Sequence, residues 1–457
     1  MNLYGYAGIQ KPVVPHTASL SGAVFGRIIY HKKLISSIGT DQKPHTQYTM
    51  SAPTPEILRF TTHKSLSHRL VLSALTGRPI HISQIRSSSP TNPGLAPHEV
   101  SFLRLLESIS NGSSVQISYT GTTLVYNPGV IAGSIDGLGA DVDGVIKCQL
   151  PANNTRGVSY FLLPLCMLAP FAKKAVNVRF EGEGVITSST EAGDISVDSV
   201  RTAILPLYEP FGIMASKLEI RVLQRSCPGP GGKGGGGVVE LRFGSQIKAL
   251  PKTLHLNRSP GRVRRIRGVA YATGVSNSHN ARMIHEARGI LNPLVGDIHI
   301  ATQYDQAPLV SARDKTNPSA KKRTGVGFGL ALIAETSSTG VIYSADVVSP
   351  SAGGVAPEDI GKQCAYQLLE IISQGGCVTK AGAPTVLTMM AMGSEDIGRL
   401  RLGREVIATE DLIGLGRDLK KFGASSWGLR DVGEDESEDI IVSVKGTGVG
   451  NVGRGVQ

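Results

Sequence analysis

The stretch that decides the reading runs from Cys377 to Gly403, CVTKAGAPTVLTMMAMGSEDIGRLRLG. Val386, Leu387, Met389, Met390, Ala391 and Met392 make an apolar run, and a helix is expected over 386–392. Upstream, Pro357 to Gln374 reads as a helix with proline in its first turn and Gly375-Gly376 closing it. No histidine occurs after His299, so the whole segment lacks an imidazole.

Working outward, strand-like and helix-like runs alternate from residue 57. Helices are expected at Ser65 to Leu75 and Pro97 to Ser110, a strand at Pro79 to Ile85, and a hairpin from Val115–Tyr119 and Thr122–Tyr126 around Gly121. A second unit follows. Tyr160 to Phe171 and Val197 to Tyr208 read as helices, and Ala175–Glu181, Leu218–Leu223 and Val238–Phe243 as strands. The third unit is expected to start at Gly327. Its parts are a hairpin of Leu330–Glu335 with Val341–Ala345, the two helices above, a helix from Thr409 to Phe422, and a strand at Ile440–Val444. The fold class is α+β: three β-α-β-α-β-β units in one large domain, sheets packed on helices, with a small inserted α/β domain. The boundaries are 1–56 (a leader without fixed structure), 57–243 (two units), 244–326 (insert), 327–448 (third unit) and 449–457 (tail).

The chain has 457 residues and a net charge of +11, and the charge is unevenly placed. Residues 244–326 hold 14 Lys and Arg against Glu286, Asp297, Asp305 and Asp314, a net of +10. Such a segment suits a phosphate backbone or an acidic protein segment. Arg258, Arg262, Arg264, Arg265 and Arg267 fall within ten residues, and Lys321, Lys322 and Arg323 form a second cluster. On a strand, Arg262 and Arg264 share one face and Arg265 and Arg267 the other. Five widely spaced cysteines with no C-x-x-C pair support neither a disulfide framework nor a zinc site, and no metal or cofactor is expected. No apolar window approaches the length of a membrane span. Residues 1–40 contain Lys11, Arg27, Lys32 and Lys33 but no acid, and they look foreign to the rest.

Several motifs together resemble the RNA 3′-terminal phosphate cyclases. They are Ile85-Arg86 followed by Pro93-Gly94-Leu95, GGKGGGGVVE from Gly231, Arg267-Gly268-Val269-Ala270-Tyr271, GFGLALIAE from Gly327, and the opening stretch. EVSFLRLLES (Glu99–Ser108), SYTGTT (Ser118–Thr123) and SEDIGRLR (Ser394–Arg401) resemble the eukaryotic cyclase-like branch. In the catalytic family, a pattern close to H-L-A-D-Q-L-L-L-P-M-A-L-A-G places the histidine that takes AMP from ATP just ahead of the apolar helix. That position falls near Ala381 here, and a methyl group is no nucleophile. The family's entry motif, close to G-E-G-G-G-Q-I-L-R-S, is replaced by Arg59-Phe60-Thr61-Thr62-His63-Lys64.

The resemblance therefore implies a non-catalytic ribosome assembly factor of the nucleus and nucleolus. It implies work on early pre-rRNA cleavage and small-subunit ribosomal RNA maturation within the small-subunit processome. The implied partners are a nucleolar translation-factor-like GTPase, pre-rRNA and a small nucleolar RNA particle, with no membrane. A pre-rRNA endonuclease using Arg417, Asp418 and Lys420 is the alternative, and an active cyclase stands behind it. On the Thr409–Phe422 helix, Leu412, Leu415, Leu419 and Phe422 make the inward stripe, so Arg417, Asp418, Lys420 and Lys421 are expected outward. Arg86 joins the two basic clusters as a candidate RNA or partner contact. His63 and His68 lack an evident Asp orienter. The glycine run 228–237 fails the P-loop pattern because Gly234 follows Lys233, and it reads as a flexible connection. The acids from Asp431 to Asp439 read as a solvated loop.

Overall fold

A computed structural model describes residues 56–312, 320–433 and 438–449. The leader and the tail, but for their innermost residues, lie outside the described residues.

The first sheet is built from β1 (Leu58–Thr61), α1 (Leu66–Thr76), β2 (Ile80–Ser83), α2 (Pro97–Ile109), β3 (Ser114–Ile117) and β4 (Leu124–Asn127). Gly77, at φ 68°, ends α1 in the left-handed conformation that costs glycine least. The strand order is β1-β2-β4-β3, with β1 parallel to β2 and the other pairs antiparallel. The second sheet uses β5 (Ile146–Gln149), α3 (Ser159–Leu168), β6 (Val176–Glu181), β7 (Leu218–Gln224) and β8 (Val238–Phe243) in the order β5-β6-β8-β7, with the same parallel and antiparallel senses. The helix expected over 197–208 is broken into an α turn, a π segment and a 3-10 run that ends at Phe211. Pro206 and Pro210 remove the donors that a regular helix needs there.

A third sheet repeats the pattern but is interrupted. Its first strand, β9 (His255–Leu256), is followed by a different sheet of β10 (Val263–Thr273), α4 (Ser278–Leu291), β11 (Ile298–Asp305), the hairpin β12 (Leu309–Ser311) and β13 (Lys321–Arg323), β14 (Gly327–Thr336), β15 (Ile342–Val348) and α5 (Pro357–Ser373). The third sheet then resumes with α6 (Ala383–Met392), β16 (Ile397–Gly403), α7 (Glu410–Lys421), β17 (Gly428–Asp431) and β18 (Asp439–Lys445), ordered β9-β16-β18-β17. This corrects the boundary expected at 326. β10 pairs along its length with β14, and β15 continues that sheet in the order β11-β10-β14-β15, covered by α4 and α5. Residues 244–326 do not close on themselves, because a strand needs a partner on its core side, and the partner comes from beyond Gly327.

The inserted sheet is fastened to the second unit by buried polar contacts. Arg225 forks Asp198, its N–H donates to Asp305 at 2.8 Å, and Ser196 Oγ donates to Asp346 at 2.6 Å. The glycine run is pinned rather than flexible. Gly234 N–H donates to Asn154, Gly235 and Gly236 N–H donate to Glu183, and Gly237 N–H donates to Val185. A Cβ on Gly235 would stand 2.5 Å from Val185 O, so glycine is required by close approach of two backbones. All five cysteines are free and buried.

Candidate functional site

The three units face one another across a cleft of about 460 Å³. The first unit supplies the turn His63–Ser67, His68, Arg86, His98 and Glu99; the second supplies Arg156, Ser159, Tyr160 and Asp194; the third supplies Ala381, Pro384 and Asp411. Two places more than 300 residues apart in sequence, the altered entry turn and the residue near the missing nucleophile, therefore line one cavity. Ala381 stands ahead of α6, whose Leu387, Met389, Ala391 and Met392 are buried.

All four non-glycine residues with positive φ among the described residues flank this cleft: Thr62 (66°), Ser65 (55°), Gln84 (58°) and Arg86 (45°). Each costs roughly 1–2 kcal/mol relative to the right-handed region, and packing must hold it. The turn at 62–65 thus keeps a backbone shape suited to glycine while carrying side chains.

The cleft's guanidinium groups are already engaged. Arg86 forks Glu99 with two bonds of 2.7 Å and donates to Gly94 O. Glu99 in turn accepts from the Ala96 N–H and so caps α2. Arg156 forks Asp194 at 2.8 and 2.6 Å and lies over the Tyr160 ring at 4.5 Å. Bidentate pairs of this kind satisfy the planar donor set, leaving little of it for an external anion.

Three histidines line the cleft, and burial favours the neutral form of each. His98, edge-on to Tyr160 at 5.0 Å, is pushed down to about 4 by desolvation. His63 is lowered by burial and then by Arg86. His68 is lowered by burial against the opposing pull of Asp411 and Asp418. These two carboxylates are the acidic neighbours that the sequence did not reveal for His68. Burial pushes the Tyr160 phenol up. Ser159 Oγ, at the first position of α3, is buried and has no hydrogen-bond partner.

Asp418 does not stand outward on α7. It is 6 % exposed and accepts from Arg69 Nε at 2.7 Å, while Arg417, Lys420 and Lys421 are exposed. Arg69 also donates to Thr61 O and Thr62 O and lies over Phe60. A carboxylate placed between two apolar positions turns inward when a buried cation waits there. The arginine cluster is likewise divided. Arg265 pairs with Glu335 and Arg267 with Asp297, while Arg258, Arg262 and Arg264 are exposed. Arg264 sits where the β10–β14 register shifts, so the two-row reading fails at a bulge. Exposed Lys321, Lys322 and Arg323 lie at the opposite end of β10 from Arg262, because Thr273 pairs with Gly327 and Val263 with Thr336. The acidic run is also divided: Asp439 is buried on Arg401 and Asp431 meets Arg404, while 434–437 lie outside the described residues.

Sequence reasoning missed His98, Glu99, Arg156 and Asp194 as one set. Glu99, three residues after the helix start, carried a capping signal. Arg156 and Asp194 are 38 residues apart and had no local signal.

Fold and cleft define an α+β protein of three like-ordered sheets with an interrupting α/β layer and one cavity shared by all three units. A family model described as RNA 3′-terminal phosphate cyclase matches residues 58–423. The chain is 36% identical over 405 residues to the rRNA processing protein RCL1 of Saccharomyces cerevisiae, covering 89% of this chain and 99% of that one. It is 36% identical over 405 residues to rcl1 of Schizosaccharomyces pombe, covering 88% and 99%. It is 37% identical over 341 residues to the human RNA 3′-terminal phosphate cyclase-like protein, covering 74% and 81%. The chain belongs to the RNA 3′-terminal phosphate cyclase family, in its cyclase-like branch.

Proposed function

We propose that this protein acts in ribosomal RNA processing as a non-catalytic member of its family. In this reading it is a nucleolar scaffold for early pre-rRNA cleavage in the small-subunit processome, holding pre-rRNA and a translation-factor-like GTPase in register. One observation carries the reading: Ala381 lines the cleft where a nucleophile is needed, and both neighbouring arginines are forked onto carboxylates of the chain itself. A cyclase must bind nucleotide phosphate and form a bond to phosphorus. This cleft offers neither a free guanidinium pair nor an orienter and nucleophile in contact. The names of the yeast relatives support the RNA process, and the unpaired Arg258, Arg262 and Arg264 offer phosphate contacts.

The test has two arms. Purified protein incubated with labelled ATP is expected to carry no covalent adenylate; a stable adduct defeats the reading. In cells depleted of the protein, uncut small-subunit precursor is expected to accumulate, and full-length chain, but not chain carrying R258E/R262E/R264E, is expected to restore cleavage. Normal precursor cleavage without the protein equally defeats it. The alternative endonuclease predicts that purified protein cuts a processing-site RNA; the inward Asp418 held by Arg69 argues against it.

A further inference from the structure

The inserted sheet ends on β15, which pairs with β14 on one side and has no strand on the other. Ser349 N–H donates to Phe328 O at 2.8 Å. By the alternation of an antiparallel ladder, Tyr343, Ala345 and Val347 turn their backbone groups toward β14, and Ser344, Asp346 and Val348 turn theirs away. Those outward groups open into a second cleft of about 750 Å³, bounded by the Ser189–Ile195 loop and by Gln367 and Glu370 of α5. This cleft shares Asp194, Ala381 and Asp411 with the first, so the two are one continuous groove.

The groove's charge is opposite in sign to that of the molecule. Glu191, Glu370 and Asp411 line it as exposed carboxylates with no ion-pair partner among the described residues, against the single exposed cation Lys380. Phosphate is repelled there, and a cation is attracted. An uncovered strand edge is normally shielded or charged, because it templates pairing with another chain. Here it is sunk between α5 and a loop, which blocks edge-to-edge association of whole sheets and admits one slender strand. The five residues Ser344–Val348 offer about 16 Å of edge at 3.3 Å per residue.

We infer that the free edge of β15 receives an extended, lysine- or arginine-bearing segment of a partner protein as an added strand. Main-chain bonds to Ser344, Asp346 and Val348 supply the registration, and Glu191, Glu370 and Asp411 select the charge. The inference concerns a protein segment and does not depend on the role in ribosomal RNA processing.

The full-length protein is tested with three fluorescent probes: an eight-residue alternating Lys-Val peptide, an alternating Glu-Val peptide and an oligoadenylate. Only the Lys-Val peptide is expected to bind, and it slows amide exchange at Ser344, Asp346 and Val348. Val348→Pro removes an outward N–H without touching a bond to β14, and it is expected to weaken binding at least about tenfold with the melting temperature held. E191K/E370K is expected to do the same through charge, and it decides the matter should V348P fail to fold. The inference is overturned if no Lys-Val binding is found, if the Glu-Val peptide or the RNA competes equally for the edge, if the three amides exchange unchanged, or if E191K/E370K binds as the wild type does.

Discussion

Arg69 Nε donates to Asp418 Oδ2 at 2.7 Å, joining α1 of the first unit to α7 of the third across 349 residues of chain. Both side chains are nearly dry, at 12% and 9% exposure. The contact closes the ring of units around the cleft, and Phe60 stacks on Phe422 at 5.6 Å beside it. Removing one partner strands the other charge, so D418A is expected to cost about 3 kcal/mol in denaturant unfolding. D418N, which keeps one acceptor for Arg69, is expected to lose less. The same D418A protein is expected to leave processing-site RNA as intact as wild type does, separating a structural from a hydrolytic role.

Restoring the imidazole alone is not expected to restore chemistry. A381H is expected to take no label from ATP, because Glu99 and Asp194 still hold Arg86 and Arg156 and the entry turn still lacks its glycines. The measurement is radiolabel retained on denatured protein.

His98 gives stability a specific pH dependence. Its folded value of about 4 lies below the 6.5 of a free imidazole, so the unfolded chain binds the proton first. Its stabilising contribution is complete above pH 6.5 and is lost as pH falls through about 4. The loss approaches about 3 kcal/mol at most, reduced by the side chain's partial exposure. Unfolding free energies of wild type and H98N, measured from pH 7 to 4, are expected to converge toward the acid end, the wild type falling more steeply.

The glycine run separates close packing from turn geometry. G235A drives a Cβ toward Val185 O and Cys227 O, and is expected to cost about 1–3 kcal/mol. Gly231, at φ 67° with open space around it, is expected to cost only about 1 kcal/mol as alanine. Thermal or denaturant melts of the two variants check the order.

RNA affinity is expected to depend on salt through the unpaired cations. R262E/R264E is expected to reduce the slope of log K against log salt by at least about 2 for a single-stranded probe. Substituting Arg265, which is committed to Glu335, is expected to change it less.

Local signals carried well into the structure. The helix expected at Ser278–Leu291 has those bounds, and the helices near 97–110 and 357–374 differ by a residue at the end, because apolar spacing, proline starts and glycine stops are properties of neighbouring residues. Short strands such as Ile146–Gln149 and Gly428–Asp431 were not legible, since four residues carry too little pattern. The missing nucleophile near Ala381 and the altered entry turn were visible as letters. Glu99 and Asp194 as counter-ions were not, because they serve residues in other elements.

The sequence by itself determined the class of fold, the family and the loss of a histidine after His299, since each depends on which residues follow one another. Tertiary structure alone decided that β10 belongs with β14 across the expected boundary, that Asp418 turns inward to Arg69, and that the cleft's arginines are neutralised from within. The physical reason is the same in each case. A strand edge, a buried charge and a guanidinium fork are satisfied only by partners brought from distant parts of the chain, and their pairing energies have no local trace.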